Sequence, residues 1–332
     1  TGVQTCALPI FVRLHKDFFD FNSAKEHGED VRFTLDGQAL AYQIEEWDAQ
    51  RGTASIWVRI PKIQGNKKQE LKIHWGKADA VSESNGNAVF NNSNQYLSVL
   101  HMDDSLEDVA GSVVTKNVET TSIAGRVGQA RHLAGRQGVF CGEQITNFPV
   151  GANPHTTEAW IRAEQSNGRA LAWGNEHGQG KVVMHFMSPP HVKMECYFSG
   201  ADVSSDGTLP MKEWIHIMHT YEKGDSRIYV NGRLSNVSKT PNAPLAIKSP
   251  ARFYIGGWYN NYDFVGDVDE VRISSVVRSP DWVHLQYENQ KEMNTLVGPL
   301  VQNGSSFEVN PSSATIAEGG AATFHATLGG VQ

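Results

Sequence analysis

The stretch "EWIHIMHTYEKGDSRIYVNGRL", Glu213–Leu234, decides the fold. Its Asn231-Gly232 pair suits a type I′ turn, which needs positive φ at both central positions. "RIYV" and the residues after the turn therefore read as the two arms of a β-hairpin. "IHIMHTY" before it reads as a further strand. His216 and His219 are three apart, so an unbroken strand sends them to opposite faces. They cannot share a metal ion there, and each is expected to be bonded within or beside the core. Short runs rich in Val, Ile, Tyr, Phe and Trp recur along the chain. Asn-Gly, Gly-Gly and Ser-Asn turns divide them, and 31 of the 332 residues are glycine. This is the pattern of an all-β, mostly antiparallel protein.

Composition narrows the partners. A hydrophobic content of 39% with 20% charged residues permits a packed core. The 29 basic residues face 36 acidic ones, and no basic block appears, which sets nucleic acid aside as a partner. No run of about 18 apolar residues exists, so the sequence holds no helical transmembrane segment. Cys6, Cys141 and Cys196 are too few for a disulfide scaffold. Cys141 and Cys196 read as buried thiols or as one disulfide, with free thiols preferred.

Three segments follow one another. In Phe11–Ala80, "DVRFTLDGQALAYQIEEWD", "ASIWVRIPKI" and "LKIHWG" read as strands of a small β-sandwich, with a turn at Asp36-Gly37 and a stop at Pro61. Residues 81–95 are polar and turn-rich, a linker. Residues 96–290 carry "GQARHLAG", "TTEAWIRA", "RIYVNGRL", "FYIGG" and "FVGDVDEVRISS", followed by a helix that Ser279 caps and Pro280 opens, pinned by Trp282 and Leu285. Residues 291–304 are a second linker. Residues 305–332 hold "FEVNPSSATIAEGGAATFHATLGG".

The first set of strings resembles the bacterial family called domain of unknown function 2341. The second resembles the laminin-G-like, concanavalin A-like jelly roll. The last is similar to the start of an immunoglobulin-like domain, truncated after two or three strands. In the first family an opening strand and a secretion signal precede these strings, and neither is read here. Thr1–Ile10, "TGVQTCALPI", has no clear period. It equals one translated frame of a common sequencing adapter. These ten residues are therefore expected to be an artefact outside the fold, and the chain a metagenomic fragment cut at both ends.

No catalytic constellation stands out. Retaining glycosidases need two carboxylates about 5 Å apart. The nearest group is Asp267, Asp269 and Glu270, whose spacing is wrong, with Glu270 expected to point away from Asp269. Asp269 is placed in the inward row of Val271 and Ile273. The jelly-roll resemblance implies a structural Ca²⁺ held by Asp103 and Asp269. The alternative is that Asp269 accepts backbone N–H groups. Trp258, Tyr259, Asn260, Asn261 and Tyr262 fall in "GGWYNNYDF", read as a connection between strands, and Trp173 falls in the loop "AWGNEHGQGK". Rings stack on sugars and amides bond hydroxyls, so these residues are the candidate ligand-binding set. The alternative is that the rings cover a sheet edge. The resulting reading is a non-catalytic binding module of a secreted or cell-envelope protein, recognising a glycan or a cell-surface protein. Its rivals are a jelly-roll hydrolase or lyase, and a purely structural segment of a long adhesion protein.

Overall fold

The computed structural model describes residues 7–63, 68–196, 200–259, 261–292, 307–310 and 321–328. The chain divides into two units, Thr1–Phe90 with Lys291–Gln332, and Asn91–Gln290.

In the first unit, Thr53–Ile60 is the central strand of an antiparallel sheet between Leu8–His15 and Tyr42–Asp48. A second sheet contains Arg32–Leu35, Gln38–Leu40 and Lys68–His74. Asp36 and Gly37, both at positive φ, close the hairpin read from sequence. Trp57 is fully buried against Phe11 and Phe90.

Three expected boundaries are corrected. Leu8-Pro9-Ile10 pairs with Ile60-Arg59-Val58, and Leu8 and Ile10 are buried, so these residues lie inside the fold and the unit has a strand before Phe11. Pro9 is tolerated because this strand is on the sheet edge. Residues 81–90 are packed onto the first unit and do not run free. Asn85 N–H donates to the Tyr42 carbonyl, Arg59 reaches the Ala88 carbonyl, and Val89 and Phe90 are fully buried. Finally, Ala321–Leu328 pairs antiparallel with Lys68–His74, and Phe307–Asn310 pairs with Ala321–Leu328. The segment read as opening a separate immunoglobulin-like domain extends the first unit's second sheet.

The second unit is two antiparallel sheets face to face. The first sheet runs Arg233–Lys239, Asp225–Val230, Ile215–Glu222, His155–Ala163, Val265–Ser274, Gln129–Ala134, Thr121–Ala124, with Tyr96–Leu100 also on Val265–Ser274. The second runs Val203–Ser204, His191–Glu195, Lys181–Met187, Gly168–Gly174, Arg252–Ile255, Gly138–Phe140, Lys116–Val118. Period-2 alternation sends Ile215, Ile217, Ile161, Val271 and Ile273 from one sheet, and Leu171, Trp173, Phe186, Phe253 and Ile255 from the other, into one core. Asn231 and Gly232 take positive φ at the turn that opened the sequence reading. His216 and His219 do point to opposite faces: His216 bonds Glu158 on the outer side, and His219 bonds Ser226 on the inner. Cys141 and Cys196 are separate buried thiols.

The helix Pro280–Gln290 lies on the outer face of the first sheet, and Trp282 N–H donates to Ser279 Oγ at its start. Trp282 and Val283 are buried while Leu285 is half-buried, so Val283 takes the packing role expected of Leu285. Under the helix is a polar layer. Trp160 Nε1 donates to Gln290, Gln290 donates to Gln286 and Glu158, and Arg272 donates to Gln286 and Glu270.

Candidate functional site

The residues "GGWYNNYDF" are not an open loop. Gly257–Trp258 pairs with Asn261–Tyr262 in a short hairpin that folds back over the outer face of the second sheet. That face can receive it because small residues lie beneath. Ala172 packs in the same cluster as Trp258 and Tyr262. Gly138 is closer still: a Cβ there would sit 2.2 Å from Tyr262 Cδ1 and 2.3 Å from the Ile255 carbonyl.

The expected ligand-binding residues therefore part company. Trp258 is 4% exposed and Tyr262 8%. Trp258 Nε1 donates to the Glu176 carboxylate, and the Lys181 ammonium lies 4.9 Å from the Trp258 ring centroid and 3.2 Å from Glu176 Oε2. Burial pushes the Tyr262 hydroxyl up to about 12. Trp173 is not in a loop at all. It is on the strand Gly168–Gly174, fully buried in the inter-sheet core, donating to Thr157 Oγ1 at 3.0 Å. Its loop neighbours close back on the chain, with Asn175 bonding the Pro250 carbonyl and His177 the Ala246 carbonyl. Trp258, Tyr262 and Trp173 thus serve packing, and the reading of them as stacking platforms is corrected. Asn260 lies outside the described residues. Tyr259 is half-buried and Asn261 exposed.

Around Tyr259 the sheet face carries residues that were not singled out. The Arg252 guanidinium carbon is 4.7 Å from the Tyr259 ring centroid. Tyr254 donates to Glu143, and its ring is 6.1 Å from Tyr259 and 5.4 Å from Phe140, itself half-buried. Burial and the adjoining Glu143 carboxylate push the Tyr254 hydroxyl well up from its ordinary value. The signal was in the sequence: in "RFYI" the inward Phe253 and Ile255 leave Arg252 and Tyr254 facing out. Toward the other edge, Arg169 pairs with Asp263, His185 with Glu195, and Lys193 with Asp202 at 2.9 Å.

Asp103 and Asp269 do not fit the calcium ion the resemblance implied. Asp103 Oδ1 accepts the N–H groups of Ser105 and Leu106 in its own turn, and Arg131 donates to the Asp103 carbonyl at 2.8 Å. Donors stand where calcium needs oxygen ligands. Asp269 Oδ2 accepts Arg126 N–H at 2.7 Å and Val127 N–H at 3.0 Å, as the alternative to calcium has it, while Asp269 Oδ1 is buried with no hydrogen-bond partner among the described residues. Nor does Asp269 share the inward row of Val271 and Ile273. Opposite Glu158 and Trp160 stand Arg272 and Asp269, so the Val265–Ser274 strand carries one extra residue, and Glu270 sits there at φ 49°. This β-bulge lets Val268 and Val271, three apart, both enter the core. Burial, with Glu270 beside it, pushes the Asp269 carboxyl well above the usual carboxylate range. Burial would raise Glu270 too, but His101 and Arg272 outweigh it and hold Glu270 low and ionised. Asp108, which sequence reading passed over, collects the N–H groups of Val99, Ala110, Ser112 and Val113 and so organises the loop after the first strand.

Residues 139–284 match the family model of the concanavalin A-like lectin/glucanases superfamily. Residues 139–284 form a concanavalin A-like domain. The model of a domain of unknown function, DUF2341, matches residues 27–105, in the order expected. Among solved structures, domain 4 of AbnA, a GH43 extracellular arabinanase from Geobacillus stearothermophilus in complex with arabinotriose, is 16% identical. The match covers 57% of this chain and 97% of that one, with a TM-score of 0.47. The ligand-binding domain of botulinum neurotoxin serotype D in complex with N-acetylneuraminic acid is 13% identical, covering 65% of this chain and 59% of that one at 0.48. A heptameric SAP-like pentraxin from Limulus polyphemus is 13% identical, covering 42% and 72% at 0.35. No curated protein matched the chain. Among the described residues no helix is long and apolar enough to cross a membrane.

Proposed function

We propose that the concanavalin A-like domain is a non-catalytic binding module for a glycan, in a secreted or cell-envelope setting. Its contact surface is the outer face of the second sheet around Tyr259. The observation that carries this reading is the half-buried Tyr259 ring. It stands on a hairpin braced from below by Trp258 and Tyr262, beside Phe140, Arg252, Glu143 and the exposed Asn261. Rings offer faces for sugar stacking, and carboxylate, guanidinium and amide groups offer acceptors and donors for hydroxyls. Near Tyr259, on the outer face of the second sheet, the carboxylates are tied to neighbours: Glu143 to Tyr254, Glu176 to Trp258 and Asp263 to Arg169. Tied carboxylates are poor candidates for an acid–nucleophile pair, which favours binding over hydrolysis.

The burial of Trp258 and Tyr262 favours one rival, a structural segment in which the hairpin is only a lid. An immobilised-glycan array probed with the full chain and with Tyr259→Ala separates the two. Binding that is lost in the variant at unchanged melting temperature supports the module. Failure of the native chain to retain any glycan leaves the lid.

A further inference from the structure

We propose that His132, Asp267 and Glu164 form a binding site for a divalent transition-metal ion of the zinc type. It lies on the outer face of the first sheet, where Gln129–Ala134, Val265–Ser274 and His155–Ala163 run side by side. Strand register builds it. His132 stands directly opposite Asp267 on one side, and Arg162 directly opposite on the other. Cross-strand partners share a face. Glu164 follows Arg162 by two residues and so returns to that face, and its N–H bonds the Val265 carbonyl at 2.9 Å, which carries the pairing one residue past Ala163.

The donor atoms are already gathered. One ring nitrogen and one oxygen from each carboxylate all lie within 4.8 Å of one another. His132 Nδ1 is 2.8 Å from Asp267 Oδ1. A four-coordinate zinc ion with bonds of about 2.0–2.2 Å spaces its ligand atoms roughly 3.4 Å apart. Small side-chain shifts therefore admit an ion. Asp267 is 1% exposed, and its second oxygen accepts Arg162 Nε at 2.5 Å. Arg162 is in turn braced over the Trp214 ring at 4.9 Å. Such an outer layer fixes a metal-binding carboxylate in orientation. Glu164 is exposed and free to swing inward without repacking. One imidazole with two carboxylates suits zinc, cobalt or nickel better than calcium, and leaves a fourth position for water. A bound ion would staple three neighbouring strands.

The test is titration of the untagged full chain with Co²⁺, read by its visible absorption, followed by displacement with Zn²⁺. One saturable site is expected. Glu164→Gln should weaken it by at least the ~10-fold that loss of an outer-layer partner alone costs, and His132→Ala should abolish it. Glu164→Gln changes an exposed residue, so its metal-free melting temperature should equal that of the native chain, while a given Zn²⁺ concentration raises the melting temperature of the native chain more than that of the variant. No saturable Co²⁺ binding, or binding that neither substitution alters, would overturn the proposal and leave Arg162–Asp267–His132 as a row of ion pairs and hydrogen bonds.

Discussion

His155 should make the second unit sensitive to acid. It is fully buried, stacked on Tyr221 at 5.1 Å and met by the edge of Trp173 at 4.9 Å. Its Nδ1 donates to the Asn153 carbonyl, and Nε2 has no partner among the described residues. Burial lowers the ring from 6.5 to about 4. The unfolded chain therefore takes up this proton first. The stability His155 contributes is complete above pH 6.5 and is lost as the pH falls toward about 4. A separation of roughly 2.5 units, at about 1.36 kcal/mol each, gives a loss of about 3 kcal/mol. His219, 5.7 Å away and also lowered by burial, acts in the same sense. Asp269, raised by burial, acts in the opposite sense, because the folded state binds its proton first. The contribution of His155 is isolated by comparison with His155→Phe, which keeps a ring and removes the titration. Urea unfolding at several pH values between 7.5 and 4.5 should show the variant gaining about 2.5 kcal/mol on the native chain as the pH falls, the remainder of the loss coming below pH 4.5. Parallel stability curves for the two proteins would refute the placement of a neutral His155 in the core.

Trp258→Ala should cost about 3 kcal/mol, as truncation of a packed Trp does. An unchanged unfolding midpoint with weakened glycan retention would restore Trp258 as a platform. Gly138→Ala drives a Cβ into Tyr262 and into the Ile255 carbonyl, and backbone cannot yield as a side chain can, so thermal denaturation should show a loss of about 2 kcal/mol or more. Cys141 and Cys196 are fully buried with thiols raised by burial, so a thiol reagent should reach neither until the chain unfolds. A calcium chelator selective over zinc should leave the melting curve unmoved, since Asp103 Oδ1 and Asp269 Oδ2 already accept backbone N–H groups.

Much of this was legible because local chemistry and global fold agree. Asn231-Gly232 fixes a turn, parity separates His216 from His219, and Ser279 caps the last helix, each from neighbouring residues alone. The misreadings share one physical cause, which is pairing with residues distant in sequence. Glycine-rich text after Trp173 reads as a loop, yet Leu171 and Trp173 alternate inward against Ile255 and Phe253 of a strand some eighty residues on. Leu8 and Ile10 acquire a role only when Thr53–Ile60 arrives beside them. The bulge at Glu270 carries no glycine to announce it, so a strict period of two placed Asp269 in the wrong row. The hairpin over the second sheet is aromatic in sequence, and its asparagines suggest an open loop. Only the small residues Ala172 and Gly138, far away in sequence, say that two of its rings would be buried.

In the proposed function, ligand meets the outer face of the second sheet at Tyr259. The most direct measurement is a nuclear magnetic resonance titration of the isotopically labelled chain with a glycan retained on the array. Shifts concentrated in residues 138–143 and 252–262 are expected, abolished by Tyr259→Ala. Shifts confined to other surfaces, or a titration that Tyr259→Ala leaves unchanged, would contradict it.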